Sequence, residues 1–186
     1  VGAMQFAMPA AIDLLRSLRA DPEEPQVVML ASTDPANPYG AILKWPRPDV
    51  PLAGNGRGPS RSAGTSVVIV NGRLGAFVSR GARQVTSCLP GDEPDRSLVG
   101  SHVAEQLARA AQLAFERSAP FVIAEINGAP TGEHPLVPFL LDVGFVRSSL
   151  GLHLRRETAT TPRHAATRTA PRRSRLVSSP FGPGEA

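Results

Sequence analysis

The side chains best suited to chemistry converge on one short stretch, TDPANPYGAILKWP, residues 33–46. It carries a carboxylate (Asp34), a carboxamide (Asn37), a phenol (Tyr39) and an indole (Trp45), and Tyr39 and Trp45 are the only Tyr and Trp of the chain. Asp34-Pro35 and Asn37-Pro38 each restrict the residue before proline to extended backbone, so the stretch is an ordered turn and not a helix. A polar loop stiffened by proline loses less entropy on binding, which suits contact with a ligand. The same composition suits an Asx-capped turn whose Tyr39 and Trp45 cover a core. Local chemistry leaves both readings open.

Other constellations are weaker. The glycine-rich GNGRG (Gly54, Gly56, Gly58) lacks the following lysine and helix of a phosphate-binding loop and reads as a flexible loop. His102, His134, His153 and His164 show no metal-ligand spacing; His102 falls in a helix and His153 in a strand, as surface or partly buried structural residues. Cys88 is the sole cysteine, which excludes a disulfide framework or a cysteine zinc site within one chain. A buried, inert thiol is the expected state. Ser, His and Asp all occur, but no GxSxG elbow links them. Neither a metal site nor a cofactor-binding residue is assigned.

The elements that must position these groups follow from periodicity. Met8, Ile12, Leu15 and Leu18 form a helical stripe over 8–19, with Pro9 in the first turn. Residues 26–31 (QVVMLA) read as a buried strand, and 47–62 as an exposed Pro/Gly loop. Val67–Val70, Asn71-Gly72 and Leu74–Val78 make the clearest signal, a hairpin whose type I′ turn needs positive φ at both central residues. A turn at Gly81 and a third strand over 84–88 complete a meander. A second helix spans 98–117 on the stripe Val99, Val103, Leu107, Ala110, Ala111, Ala114, with Asp95 or Ser97 as its cap. A strand over 121–126, a short helix over 136–142 ending at Gly144, and a strand or strand pair around Gly151 follow. The expected fold is α+β: an antiparallel β-meander or partial barrel flanked by two main helices over 1–156, with a disordered Arg/Pro-rich tail over 157–186.

The chain has 186 residues and a formal charge of +4. That charge is unevenly placed: through Leu154 there are 13 basic and 14 acidic residues, and from Arg155 onward seven Arg against Glu157 and Glu185. The basicity belongs to the tail. Its arginines suit non-specific phosphate contact, or simply a solvated extension, and Phe181 is its only aromatic residue for stacking on a base. No run approaches the roughly 18 apolar residues of a membrane helix, and no secretory signal pattern opens the sequence. A cytoplasmic protein without a membrane partner is expected.

At a longer scale the motifs resemble a known family. LASTDPANPYGAILKWP (Leu30–Pro46) is similar to the LAATDPANPYGAALPWP segment in the far C-terminal region of bacterial large helicase-related (Lhr) ATP-dependent DNA helicases. RSAGTSVVIVNGRLGAFVSRGAR (Arg61–Arg83) resembles the family's RxAGAxVVLVDGxLxLYxERGGR hairpin, and LLDVGFVRSSLGLHLRR (Leu140–Arg156) its LxxAGFxxTPRGLRLRR ending. Phe6–Arg19 resembles the helix before this block. The chain departs from the pattern at Gly81–Val85, at Ser148–Gly151 and in continuing past Arg156.

The resemblance implies a fragment without the motor. ATP and Mg serve the RecA-like motor domains of such proteins, which are hydrolases, and no Walker motif occurs here. The family's C-terminal extension resembles winged-helix DNA glycosylases, includes a β-barrel-like module, and in some members is credited with uracil excision from DNA. The expected function is therefore a contribution to DNA binding or repair, including glycosylase-like base excision. Asp34 is the catalytic candidate, stabilising developing positive charge on a sugar or activating water. Asn37, Tyr39 and Arg61 are the candidates for positioning a base or phosphate. Single-stranded DNA is the expected partner, with self-association or docking on separate helicase domains as a further one. The alternatives are a non-catalytic structural or oligomerisation domain, or an inactive gene remnant.

Overall fold

In the computed structural model, which describes residues 6–18, 22–54 and 58–155, Asn71 and Gly72 both hold positive φ, 48° and 77°. Strand β2 (Ser66–Val70) therefore turns tightly into β3 (Arg73–Val78), with Val70 opposite Arg73. Strand β1 (Val27–Ala31) pairs antiparallel with the free side of β2, and β4 (Gln84–Ser87) with that of β3. The meander expected from sequence is present. It continues into a parallel partner, β5 (Glu125–Ile126), and then β6 (Ala129–Pro130), through a second positive-φ pair at Asn127 and Gly128. The six-stranded sheet does not close into a barrel: β1 and β6 are its edges.

Helix α2 (Asp95–Glu116) lies across one face and buries Val99, Gly100, Val103, Ala104, Leu107, Ala108 and Ala111. These meet Val68, Val70, Ala76 and Val78 from the sheet, together with Leu140 of the short helix α3 (Val137–Asp142). The hairpin β7 (Phe145–Ser148)–β8 (Gly151–Leu154) completes this layer. It is joined to the main chain before β5 by reciprocal Ile123–Leu152 backbone bonds of 2.9 and 2.8 Å. The approach is so close that a Cβ on Gly151, at φ +123°, would lie 2.2 Å from the Ile123 carbonyl oxygen. Only glycine fits there.

The opposite face of the sheet has its own smaller core of Val67, Ile69, Leu74 and Phe77. Side chains alternate across a strand, so a sheet buried on both faces reads as a continuous apolar run, as VVIV does. A bulge between Val68 and Ile69 adjusts the register with β3.

Several local expectations change. The strand expected over 121–126 shortens to Glu125–Ile126, because Ile123 pairs with β8 while Glu125 pairs with β4. The chain is crossing between two ladders there. The α2 start is not capped by Asp95 or Ser97: the Glu93 carboxylate accepts the Ser97 N–H at 3.0 Å. The 47–62 loop is not wholly exposed, since Asp49 is drawn under the sheet edge by partners described below. Helix α1 (Pro9–Ser17) forms where its stripe places it, yet buries none of its residues. Among the described residues no helix is long and apolar enough to cross a membrane. The chain divides into Val1–Arg155 and Arg156–Ala186. The expected tail, with its arginines and His164, lies outside the described residues, as does the middle of the GNGRG loop.

Candidate functional site

The TDPANPYGAILKWP turn is the cover of the second sheet face. Trp45 meets Phe77 edge-on at 5.8 Å and stacks with Tyr39 at 6.3 Å. The Tyr39 hydroxyl donates to the Gly72 carbonyl (2.9 Å) and accepts the Leu74 N–H (3.1 Å), fastening the turn to the β2–β3 hairpin. Asn37, buried, donates through Nδ2 to the Ser32 carbonyl at 2.8 Å and accepts the Tyr39 N–H at 3.1 Å. The half-buried Asp34 accepts the Ala36 N–H at 2.8 Å, the Asx-turn geometry.

Arg61 is brought to the same place from the loop that leads into β2. Its guanidinium donates to four carbonyls of the turn, those of Asn37 (2.8 Å), Thr33 (3.1 Å), Asp34 (3.1 Å) and Tyr39 (3.2 Å). The planar fork of arginine suits such a spread of acceptors, where a lysine ammonium would reach fewer. The four residues selected from sequence are thus one assembly. Tyr39, Asn37 and Arg61 spend these polar atoms holding the backbone of the turn that carries Asp34.

A second polar assembly escaped the sequence reading. Asn127, 1% exposed at the β5–β6 turn, accepts the Ser87 N–H through Oδ1 at 2.8 Å. Its own N–H donates to the Val85 carbonyl, so the side chain extends the parallel β4–β5 ladder by one rung. Two acceptors, Asp49 Oδ1 and the Val50 carbonyl, and a third neighbour, His134 Nε2, surround Nδ2, each at 3.0 Å. The Leu136 N–H points into His134 Nδ1 (3.1 Å), which places the proton of the neutral ring on Nε2. Nδ2 therefore gives its hydrogens to Asp49 and Val50, and Nε2–H faces the Asp49 carboxylate at 3.7 Å. Ser87 Oγ supplies the other carboxylate oxygen with a donor at 3.1 Å.

Burial holds the His134 pKa below its ordinary value, with the Asp49 charge opposing that shift. Burial, reinforced by Asp49, also pushes the neighbouring Cys88 thiol up to about 12, a thiol without nucleophilic character at neutral pH. A carboxylate beside an imidazole is an acid–base pair in principle. Here the two side chains are only 11% and 7% exposed, and the carboxylate is supplied with donors from within the protein. The assembly acts as a lock that holds the 49–53 loop against the sheet edge. Among the described residues no group of three or more His, Cys, Asp or Glu converges as a metal set. No spacing rule links positions 49, 87, 127 and 134; the signal was limited to Asn127-Gly128, legible as a turn only.

No protein-family profile matches the chain. Among curated proteins, one from Mycolicibacterium smegmatis named "Lhr helicase/ probable uracil glycosylase" is 36% identical over 167 residues, covering 83% of this chain. One from Escherichia coli K12 named "Lhr helicase/uracil glycosylase" is 30% identical over 155 residues, covering 82%. The chain resembles the C-terminal part of an Lhr protein. It spans about a tenth of the length of these relatives, 10% and 9%. In this Lhr-like domain the TDPANPYGAILKWP string is the turn that closes the second core, and Gly81–Val85 falls on the β3–β4 turn and the start of β4.

Proposed function

We propose that this Lhr-like domain is a DNA-contacting module of a DNA-processing protein and has no motor activity of its own. The observation that carries this reading is the similarity over 82–83% of the chain to two proteins whose names join a helicase with a uracil glycosylase. The sequence supplies no phosphate-loop lysine for nucleotide hydrolysis. Base excision within the domain would rest on Asp34, whose turn is stiffened by Pro35, Asn37 and the Arg61 grip. The carboxylate would stabilise positive charge developing on the sugar, while Asn37, Tyr39 and Arg61 keep the turn in place.

The test uses the full chain with a single-stranded oligonucleotide, with and without one uracil. Fluorescence anisotropy at low salt measures binding, and alkaline cleavage of abasic product measures excision. Binding without product supports a contact module. Product that disappears in a folded Asp34→Asn variant assigns excision to this turn. A wild-type chain that neither binds nor excises overturns the reading.

A further inference from the structure

The β3–β4 turn presents two arginines on an unusually well-braced piece of backbone. The Ser79 N–H donates to the Gln84 carbonyl (2.9 Å), the Gln84 N–H donates to Ser79 Oγ (3.0 Å), and the Ala82 N–H donates to the Ser79 carbonyl (2.9 Å). Gly81 and Ala82 both sit at positive φ, 75° and 58°, and the Ala82 methyl is sunk into the main core at 5% exposure. The Arg83 carbonyl accepts two N–H groups, from Ala124 at 2.9 Å and Glu125 at 3.0 Å, so the turn is also tied to the strand crossing. A left-handed, buried alanine is held only by surroundings that over-determine it.

What this bracing displays is positive charge. Arg80 and Arg83 are exposed and border a cleft of about 340 Å³ whose remaining walls are Ser79, Gln84, Ala124 and Glu125. Among the described residues neither guanidinium has a carboxylate within 4.0 Å. The one carboxylate of the cleft, Glu125, accepts the Gln84 side-chain amide at 2.8 Å instead. The Arg80 stem lies over Gly64, where a Cβ would come within 3.1 Å of its Cγ, so the side chain passes over this glycine on its way to solvent. Through Leu154 the chain carries 13 basic and 14 acidic residues, so paired free arginines are a local feature and not the overflow of a basic body.

We propose that the Arg80–Arg83 turn is a contact site for the phosphodiester backbone of single-stranded nucleic acid. This rests on the DNA-contacting reading above and gives it a surface. Guanidinium groups bind phosphate oxygens with a charge-assisted, forked geometry. The cleft walls contain no aromatic side chain on which a base would stack, so contact is to the backbone and independent of base identity.

The experiment is a salt titration of the full chain binding a fluorescent oligo-dT, read by anisotropy. Each phosphate contact on a single strand contributes about 0.7 to the slope of log affinity against log salt. Arg80→Ala/Arg83→Ala should weaken low-salt binding at least tenfold and reduce the slope by about 1.4. R80K/R83K, which keeps both charges, should retain the wild-type slope; R80Q/R83Q replaces the alanine pair if that pair does not fold. A slope unchanged in R80A/R83A and lost in R172A/R173A overturns the proposal and moves the contact to the tail. Equal binding of inorganic phosphate and oligo-dT, with no oligonucleotide advantage, overturns it in favour of a simple anion site. A wild type that does not bind oligo-dT at all overturns the DNA-contacting reading itself.

Discussion

Replacing Asn127 with alanine removes the centre of the lock between β4, the 49–53 loop and His134. Three costs can be assigned from the structure. The Ser87 N–H, in a fully buried residue, loses its acceptor, which costs about 1–3 kcal/mol. Asp49 loses one of its donors but keeps the Ser87 hydroxyl, so the low end of the range for a charged partner applies, about 1.5 kcal/mol. Asn127 sits at φ +53°, where an alanine costs roughly 1 kcal/mol more than asparagine. Together Asn127→Ala should lose about 4 kcal/mol, which for a domain of this size lowers Tm by roughly 10 °C. Asn127→Gly removes the same polar atoms while relieving the positive φ, and should recover about 1 kcal/mol of that loss. Urea unfolding followed by circular dichroism measures both variants. A loss under 1 kcal/mol in Asn127→Ala, or an Asn127→Gly protein as stable as wild type, would refute the lock.

Two further outcomes follow from packing and charge. Gly151→Ala, which sets a methyl against the Ile123 carbonyl at positive φ, should cost about 3 kcal/mol or more in thermal unfolding. Gly132→Ala, with only the Pro130 carbonyl near at 3.8 Å, should change stability by less than about 0.5 kcal/mol; equal effects of the two would contradict the steric argument. His134 is held neutral by the fold, its pKa lowered from 6.5. Its contribution to stability is complete above pH 6.5 and is lost as pH falls through the lower folded value. The urea midpoint should therefore fall as pH drops from 7.5 to 5, and fall less in His134→Gln. The more exposed His102–Glu105 pair, common to both proteins, cancels in that comparison. A midpoint that rises over the same interval would show that protonation of His134 favours the fold.

Where the local code was strong, the elements were legible. Asn71-Gly72 between two β-branched runs specified a tight hairpin because few residues adopt positive φ there. The α2 stripe was legible because a helix repeats its buried face every three or four residues. The prolines of the Asp34–Pro46 turn dictated its stiffness, although not its task. Whether Tyr39 and Trp45 faced a ligand or a core depended on the sheet having a second apolar face, and only the β2–β3 register put Leu74 and Phe77 there.

By itself the sequence determined the α+β class, the β2–β3–β4 meander, the places of α1 and α2 and the likeness to the Lhr C-terminal region. Tertiary structure alone decided which polar groups meet. Asp49, Ser87, Asn127 and His134 are brought together by the parallel β4–β5 pairing, a contact between residues some 40 positions apart. Arg61 reaches four carbonyls more than 20 positions upstream. Local propensities act over a few residues, whereas these convergences are set by how strands cross and return. That is why the turns could be read from the chain and the lock could not.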